Sequence, residues 1–418
     1  MREYSEVGPG KEDVLNHVAT VVTGPATANQ IIGFDSTPRT RIVFGAGVIE
    51  RLGELGRELG GRKALVVTDA GIAAAGHLDH ALRALDAAKL EYAVFDQVRM
   101  NPTTRDVDEC VLAARSAGID LLIGLGGGSS IDTARGCNFL LTNGGRMQDY
   151  WGVGKATQPM LPLIAVPTTA GTGSECQSFA LIADEVTHLK MACGDPKAAA
   201  RVALLDPLLT LSQPRRVTAC TGIDALVHAV ETAVTRKRNE LSSLYSRESF
   251  RLGIHSLPRV LAVPDDLEAR SRMQLAAAYA GLAIENSMLG AAHSAANPLT
   301  AHFDVVHGHA VGMMLPHVVR FNAEDPACRA IYRDLATGAG LLSESDEQDA
   351  IGVLTSRLTD LLQLAGLPVT LGDAGVTESA IPQLAVEAAG QWTARMNPRE
   401  IGAADFEALY ATAIARTA

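Results

Sequence analysis

IDLLIGLGGGSSIDTARGCNFLL, residues 119 to 141, joins an apolar strand to a helix through three consecutive glycines. Ile119 to Leu125 is almost continuously apolar, the pattern of a strand buried on both faces of a parallel sheet. Gly126, Gly127 and Gly128 follow, and the spacing predicts a helix opening near Ser129. That order sets free backbone N–H groups and a helix N-terminus where a pyrophosphate could sit. A Cβ at these positions would hold phosphate oxygens away from the backbone. Asp132 falls in the first helical turn, where the helix dipole favours a carboxylate. The turn matches neither G-x-G-x-x-G nor the P-loop. Read alone, it serves phosphate binding and a tight connection equally well.

Upstream, RIVFG from Arg41 predicts a strand, Val48 to Leu59 an amphipathic helix, and KALVVTD a strand ending at Asp69. Ile72 to Ala88 reads as a helix, EYAVFD as a strand and Arg105 to Ala117 as a helix. Strands alternating with helices indicate a parallel sheet covered on both faces. Downstream, the apolar run Pro162 to Val166 leads into PTTAGTGSE, Pro167 to Glu175. Its hydroxyls, Thr168 and Thr169 first among them, and its glycines suit contacts to phosphate and sugar oxygens. SFALIAD and HLKMACG predict a hairpin, and RVALLD a last strand. From about Pro214 the β signal ends, and helical segments follow, punctuated at Pro258, Pro264, Pro298, Pro316, Pro326, Pro368, Pro382 and Pro398. The expected organisation is an extension over residues 1–30, an α/β domain over 31–212 and an all-helical domain over 213–418.

Open α/β sheets bind ligands at the carboxyl ends of their strands, which is where both glycine-bearing loops fall. Asp69 ends an early strand. Its carboxylate suits ribose hydroxyls and would repel a 2′-phosphate, favouring NAD over NADP; a helix N-cap role is equally consistent. In the helical half, TGIDALVHAVE places Asp224 and His228 one helical turn apart, and GAAHSAANPLTAHFDVVHGHA adds His293 and His307. A carboxylate with imidazoles suits a first-row divalent metal acting as a Lewis acid on an alcohol or carbonyl oxygen. His302, His309 and His317 crowd the same region, so spacing leaves the choice of ligands open.

The chain has 418 residues and a net charge of −11, which argues against nucleic acid or an anionic membrane surface as partner. Without a long apolar run or a leader-like N-terminus, it reads as a cytoplasmic protein. The six cysteines lack C-x-x-C spacing and are expected reduced and mostly buried, with Cys176 beside the PTTAGTGSE loop.

Taken together, from about Arg41 to Arg399, FGAG, VVTD, MNPT (Met100 to Thr103), GGGSSID, PTTAGTGSE, LLDPLLT (Leu204 to Thr210), TGIDALVHAVE and the HG at His307 resemble the iron-containing (group III) alcohol dehydrogenase family. The resemblance implies a dinucleotide-binding α/β domain followed by a helical metal-binding domain, similar to dehydroquinate synthase. It implies Asp224, His228, His293 and His307 as metal ligands, for Fe(II) or Zn(II). Gly127, Gly128 and Ser129, with Asp132 in the same turn, would serve the pyrophosphate of NAD(P), and Asp69, Asn101, Thr168, Thr169 and Lys190 the rest of the nucleotide. The implied reaction is hydride transfer between an alcohol, or its aldehyde or ketone, and the cofactor, in a homodimer. The alternative readings are a hydroxyacid–oxoacid transhydrogenase or a Zn-dependent glycerol-type dehydrogenase of the same superfamily. Two departures stand out. Asn297, a possible substrate contact, replaces a histidine that many members carry four residues after the third ligand, and it cannot act as a general acid. Arg135 stands where lysine is usual, which keeps the charge but changes the geometry.

Overall fold

A computed structural model describes residues 32–187, 189–343 and 349–415. The extension expected over residues 1–30 lies outside the described residues. Among the described residues nine strands run β1 (Arg41–Phe44), β2 (Lys63–Val67), β3 (Glu91–Phe95), β4 (Leu121–Gly126), β5 (Gly152–Val153), β6 (Leu163–Pro167), β7 (Phe179–Ala183), β8 (Lys190–Gly194) and β9 (Val202–Leu205). Six of them form a sheet in the order β1-β9-β6-β4-β2-β3, parallel throughout.

The apolar strands are buried on both faces because helices cover both. Along β2, Ala64 and Val66 pack with Leu52, Leu55 and Leu85 on one side. Leu65 and Val67 pack with Val107, Cys110 and Ile131 on the other. The alternation is the two-residue period of a strand between two helical layers.

Register positions the loops. Gly126 of β4 lies opposite Pro167 of β6, and Val67 of β2 lies opposite Gly124. The segments after β2, β4 and β6 therefore emerge together at the carboxyl ends of these parallel strands. The hairpin expected after the PTTAGTGSE loop is present as antiparallel β7 and β8, and β5 joins β8 in parallel to complete a small three-stranded sheet.

Among the described residues the last strand ends at Leu205, the helix Arg215–Thr232 follows, and only helices come after it. Three local expectations change. The helix predicted over Ile72 to Ala88 is two helices, Ala70–Ala74 and His77–Ala87, parted at Gly76 with φ 81°. The segment after β1 starts as a 3-10 turn, Val48–Arg51, before the α-helix Leu52–Glu58. Pro258, Pro298 and Pro316 lie inside helices rather than between them. A proline removes one backbone hydrogen bond, and burial of Pro298 and Pro316 within the helical core holds those helices together across the gap.

Candidate metal and dinucleotide site

The helix Arg215–Thr232 carries Asp224 and His228 on one face, and Glu231 extends the same stripe. His293 comes from the first turn of the helix Ala291–Phe303, and His307 opens the helix His307–Asn322. Close helix contact makes their convergence possible. A Cβ added at Gly308 would lie 2.0 Å from the Cys220 carbonyl oxygen and 3.3 Å from Asp224 Cβ. Glycine after His307 thus lets that helix end approach the Asp224 turn.

Around Asp224 Oδ1 stand His228 Nε2 at 3.3 Å, His293 Nε2 at 3.6 Å and His307 Nε2 at 3.9 Å. The ligand atoms of Asp224, His228 and His293 all lie within 4.8 Å of one another; His307 falls outside that set and approaches it through Asp224, at 3.9 Å. The His228 and His293 rings stack at 4.9 Å, and His293 and His307 lie 5.3 Å apart. Asp224 Oδ1 and His293 Nε2 are buried without a hydrogen-bond partner. Buried polar atoms ordinarily have partners, and one oxygen faced by three imidazole nitrogens is a donor set that a divalent cation satisfies.

Electrostatics agree. Burial alone would raise the Asp224 carboxyl, but the surrounding histidines outweigh it and hold it well below the usual range. Burial pushes His228 down to about 4 and His307 down to about 3, leaving neutral rings with lone pairs to offer. His293 differs. Burial opposes its charge, yet Glu231 on one nitrogen and Asp224 toward the other bring it up to about 9.

Glu231 is the residue that sequence reading passed over, although it stands within TGIDALVHAVE. Its Oε2 accepts from His293 Nδ1 at 2.5 Å and its Oε1 accepts from the Ala292 N–H at 2.6 Å. The carboxylate thereby anchors His293 through Nδ1 and leaves Nε2 as the atom facing Asp224, the position a cation would take in exchange for a proton. Its place three residues after His228 and seven after Asp224 was the available signal. His228 Nδ1 has no partner within hydrogen-bond limits, although the Gly171 backbone faces the ring.

The neighbouring histidines are committed elsewhere. His302 pairs with Glu387 at 2.7 Å, His309 bonds the Pro368 carbonyl at 2.7 Å, and His317 contacts Thr412.

At the carboxyl ends of β4 and β6, the two glycine loops face each other. A Cβ on Gly127 would lie 3.4 Å from Thr169 Cγ2, and one on Gly128 would lie 3.0 Å from Thr172 Cγ2. The Thr168 N–H donates to the Gly126 carbonyl at 2.9 Å, tying the loops together. Ser129 lies in the first turn of the helix Gly128–Asn143, where N–H groups have no intrahelical acceptor. The hydroxyls of Ser130 and Thr168 are buried and unpaired. This cradle fits a phosphate-bearing ligand.

Asp69 realises its cap role, with Oδ1 accepting from the Ile72 N–H at 3.0 Å. Its Oδ2 points toward Gly126, 3.6 Å from where a Cβ would stand. Asn101 is exposed in the left-handed region, φ 55°, beside β7. Lys190 begins β8. Its side chain reaches solvent, but nearby protein atoms lower its ammonium pKa against the pull of Asp132 and Asp224.

Asp132 is placed inward, away from the loop mouth. Its Oδ1 accepts from Arg135 Nη1 at 3.1 Å and Ser174 Oγ at 2.5 Å, and its Oδ2 from the Leu181 N–H at 3.3 Å. Arg135 is fully buried and also donates to the carbonyls of Ala198, Ser174, Gln177 and Phe179. Arg135 and Asp132 therefore brace the segment between the PTTAGTGSE loop and β7. The glycines of that loop pack rather than flex. A Cβ at Gly171 would lie 2.4 Å from Thr221 Cβ, and one at Gly173 would lie 2.7 Å from the Gly281 backbone. The loop is thus the seam between sheet and helices, bringing the cradle beside the histidine cluster. Cys176 follows it as a buried thiol, pushed up by burial, and all six cysteines are free and buried.

Comparison with known proteins agrees with this arrangement. The profile of iron-containing alcohol dehydrogenases matches residues 38–207, and that of the family's C-terminal part matches residues 218–414. A 1,3-propanediol dehydrogenase of Klebsiella pneumoniae is 34% identical over 374 residues, spanning 88% of this chain and 95% of that protein. An NAD-dependent methanol dehydrogenase of Bacillus methanolicus is 33% identical over 359 residues, spanning 85% and 93%. Among solved structures, a 1,3-propanediol oxidoreductase superposes with a TM-score of 0.86 at 33% identity, covering 90% of this chain and 98% of that one.

Proposed function

This chain belongs to the iron-containing alcohol dehydrogenase family, and from that premise we infer how its residues divide the work of an NAD-dependent, metal-dependent alcohol oxidoreductase. Asp224, His228, His293 and His307 hold a divalent metal, Fe(II) or Zn(II). Glu231 orients His293 from behind. Gly127, Gly128 and Ser129 present backbone N–H groups to the cofactor pyrophosphate, with Thr168 and Thr169 on the facing loop and Asn101 and Lys190 flanking it. Asp69 Oδ2 favours NAD over NADP by repelling a 2′-phosphate.

When bound, the metal supplies Lewis acidity to an alcohol oxygen and NAD supplies the hydride acceptor. The chain's own part is to bring the two ligand sites together across the Gly171–Thr221 and Gly173–Gly281 contacts. The α/β and helical parts, divided between Leu205 and Arg215, act as two domains in this reading. We extend it to a cytoplasmic homodimer, on the family resemblance. Among the described residues no helix is long and apolar enough to cross a membrane.

The observation that carries the reading is the unpaired Asp224 Oδ1 encircled by three imidazole nitrogens. His293→Ala tests it. Metal content and alcohol oxidation should be lost together while NAD still binds, measured by metal analysis and calorimetry. Full activity in a demonstrably metal-free preparation overturns it.

A further inference from the structure

We propose that residues 391–397 brace the three ligand-bearing helices against one another, with Asn397 as a positioning residue that acts on the metal centre through Gly290 and Glu231. The inference rests on the metal-site reading above and goes beyond the ligands themselves. The four ligand positions come from three helices, and a cation tolerates little error in where their donor atoms stand. Asp224 Oδ1 and His293 Nε2 are buried and unpaired, so contacts other than their own must hold the helices together.

The segment reaches all three helices. Beyond the end of the helix Arg215–Thr232, the Arg236 N–H donates to the Met396 carbonyl at 3.0 Å, and Arg236 Nε donates to the Asn397 carbonyl at 2.9 Å. On the helix Ala291–Phe303, Ser294 Oγ donates to the Gly290 carbonyl at 3.1 Å. That leaves Thr393 Oγ1 as the donor in the 2.7 Å contact between the two hydroxyls. One turn on, Asn297 Nδ2 donates to Gln391 Oε1 at 3.1 Å. At the end of the helix His307–Asn322, Asn397 and Asn322 form a reciprocal amide pair, at 2.8 and 3.1 Å. Ser294, Thr393, Asn322 and Asn397 are all buried, where water does not compete for these bonds.

Asn397 joins the brace to the support of a ligand. Its Nδ2 also donates to the Arg399 carbonyl at 3.0 Å, which only the amide nitrogen can do. Oδ1 therefore faces Gly290, where a Cβ would lie 3.3 Å from Asn397 Oδ1 and 3.2 Å from Glu231 Oε1. Gly290 is the N-cap of the helix that carries His293. Glu231 is the carboxylate that takes the Ala292 N–H and His293 Nδ1. A bare Cα thus lets amide and carboxylate close on the same turn. The line of contact runs from Asn322 through Asn397, Gly290 and Glu231 to His293, and Asn322 ends the helix that His307 opens.

The test loads the full chain with Co(II) or Zn(II) and compares the parent with Asn397→Leu and Thr393→Val. Chelator competition reads affinity, and the visible absorption of the Co(II) form reads ligand geometry. Asn397→Leu should weaken both metals by about three- to thirtyfold, the range that positions along a contact network exert on a distant site, and should move the Co(II) band. Thr393→Val should act in the same direction. NAD affinity of the metal-free protein should stay within about twofold of the parent, because the glycine cradle is built from other segments. A merely structural role would lower the thermal midpoint while leaving the affinity of the folded protein and its Co(II) spectrum unchanged. A folded Asn397→Leu protein that binds both metals within about twofold of the parent, with the parent's spectrum, overturns the proposal. So does an equal loss of NAD and metal affinity, which marks general disruption. If Asn397→Leu does not fold, Thr393→Val decides by the same readings. A parent chain that binds neither metal refutes the metal-site reading, and the brace falls with it.

Discussion

Replacing Glu231 by glutamine leaves two buried donors competing for one oxygen. In the native protein Ala292 N–H reaches Oε1 at 2.6 Å and His293 Nδ1 reaches Oε2 at 2.5 Å. Glutamine can accept one of them, and the other then faces an NH2 group. If the backbone keeps its acceptor, the His293 ring loses the contact that anchors it through Nδ1, and Nε2 can carry the proton where a metal would bind. Outer-shell partners of ligating histidines typically contribute about 10–100-fold in metal affinity, or ~1.4–2.7 kcal/mol. Glu231→Ala goes further, leaving both donors buried and unpaired, at a folding cost of about 1–3 kcal/mol for each. Competition with a calibrated chelator for Fe(II), under anaerobic conditions, and for Zn(II) measures the first quantity. Thermal unfolding of the metal-free protein measures the second. Glutamine should lower metal affinity at least about tenfold while moving the metal-free midpoint by only a few degrees. Alanine should lower both. A glutamine variant that holds either metal within about twofold of the parent refutes the assignment of Glu231 as the residue orienting His293.

Other residues make equally specific commitments. Gly308→Ala places a methyl 2.0 Å from the Cys220 carbonyl, which should push the His307 helix away, cost about 1–3 kcal/mol in denaturant unfolding and weaken metal binding in the same preparation. Arg135→Lys restores the residue usual in the family but cannot reproduce the guanidinium's contacts to Asp132, Ser174, Ala198, Gln177 and Phe179. It should destabilise the chain by about 3 kcal/mol or more in urea unfolding rather than prove neutral. Glu175 is buried, and desolvation raises its carboxyl to about 7 against some relief from Arg135. A carboxyl raised in the folded state contributes stability that is present below its unfolded pKa and lost as pH rises toward 7. Glu175→Gln should therefore remove up to ~3 kcal/mol of the fall in stability between about pH 4.5 and 7, read as a flatter profile of melting midpoint against pH.

Much of this protein is written locally. Leu121 to Gly126 is a buried strand because its neighbours in sequence are apolar, and the glycines that end it allow the tight turn into the helix Gly128–Asn143. The same holds for the change from strand–helix alternation to helices alone between Leu205 and Arg215, and for the ordered set of motifs that places the chain in its family. Each signal depends on period and backbone freedom, which adjacent residues specify. The selection of His293 and His307 from five histidines between residues 293 and 317 is different in kind. Only tertiary packing takes His302 to Glu387 and His309 to the Pro368 carbonyl, while His293 and His307 turn toward Asp224. The inward turn of Asp132, the clamp built by Arg135, the support from Glu231 and the survival of helices through Pro298 and Pro316 were decided there too. In every case the deciding partner lies far away in sequence, and an imidazole, a carboxylate or a guanidinium takes its role from the atoms that reach it.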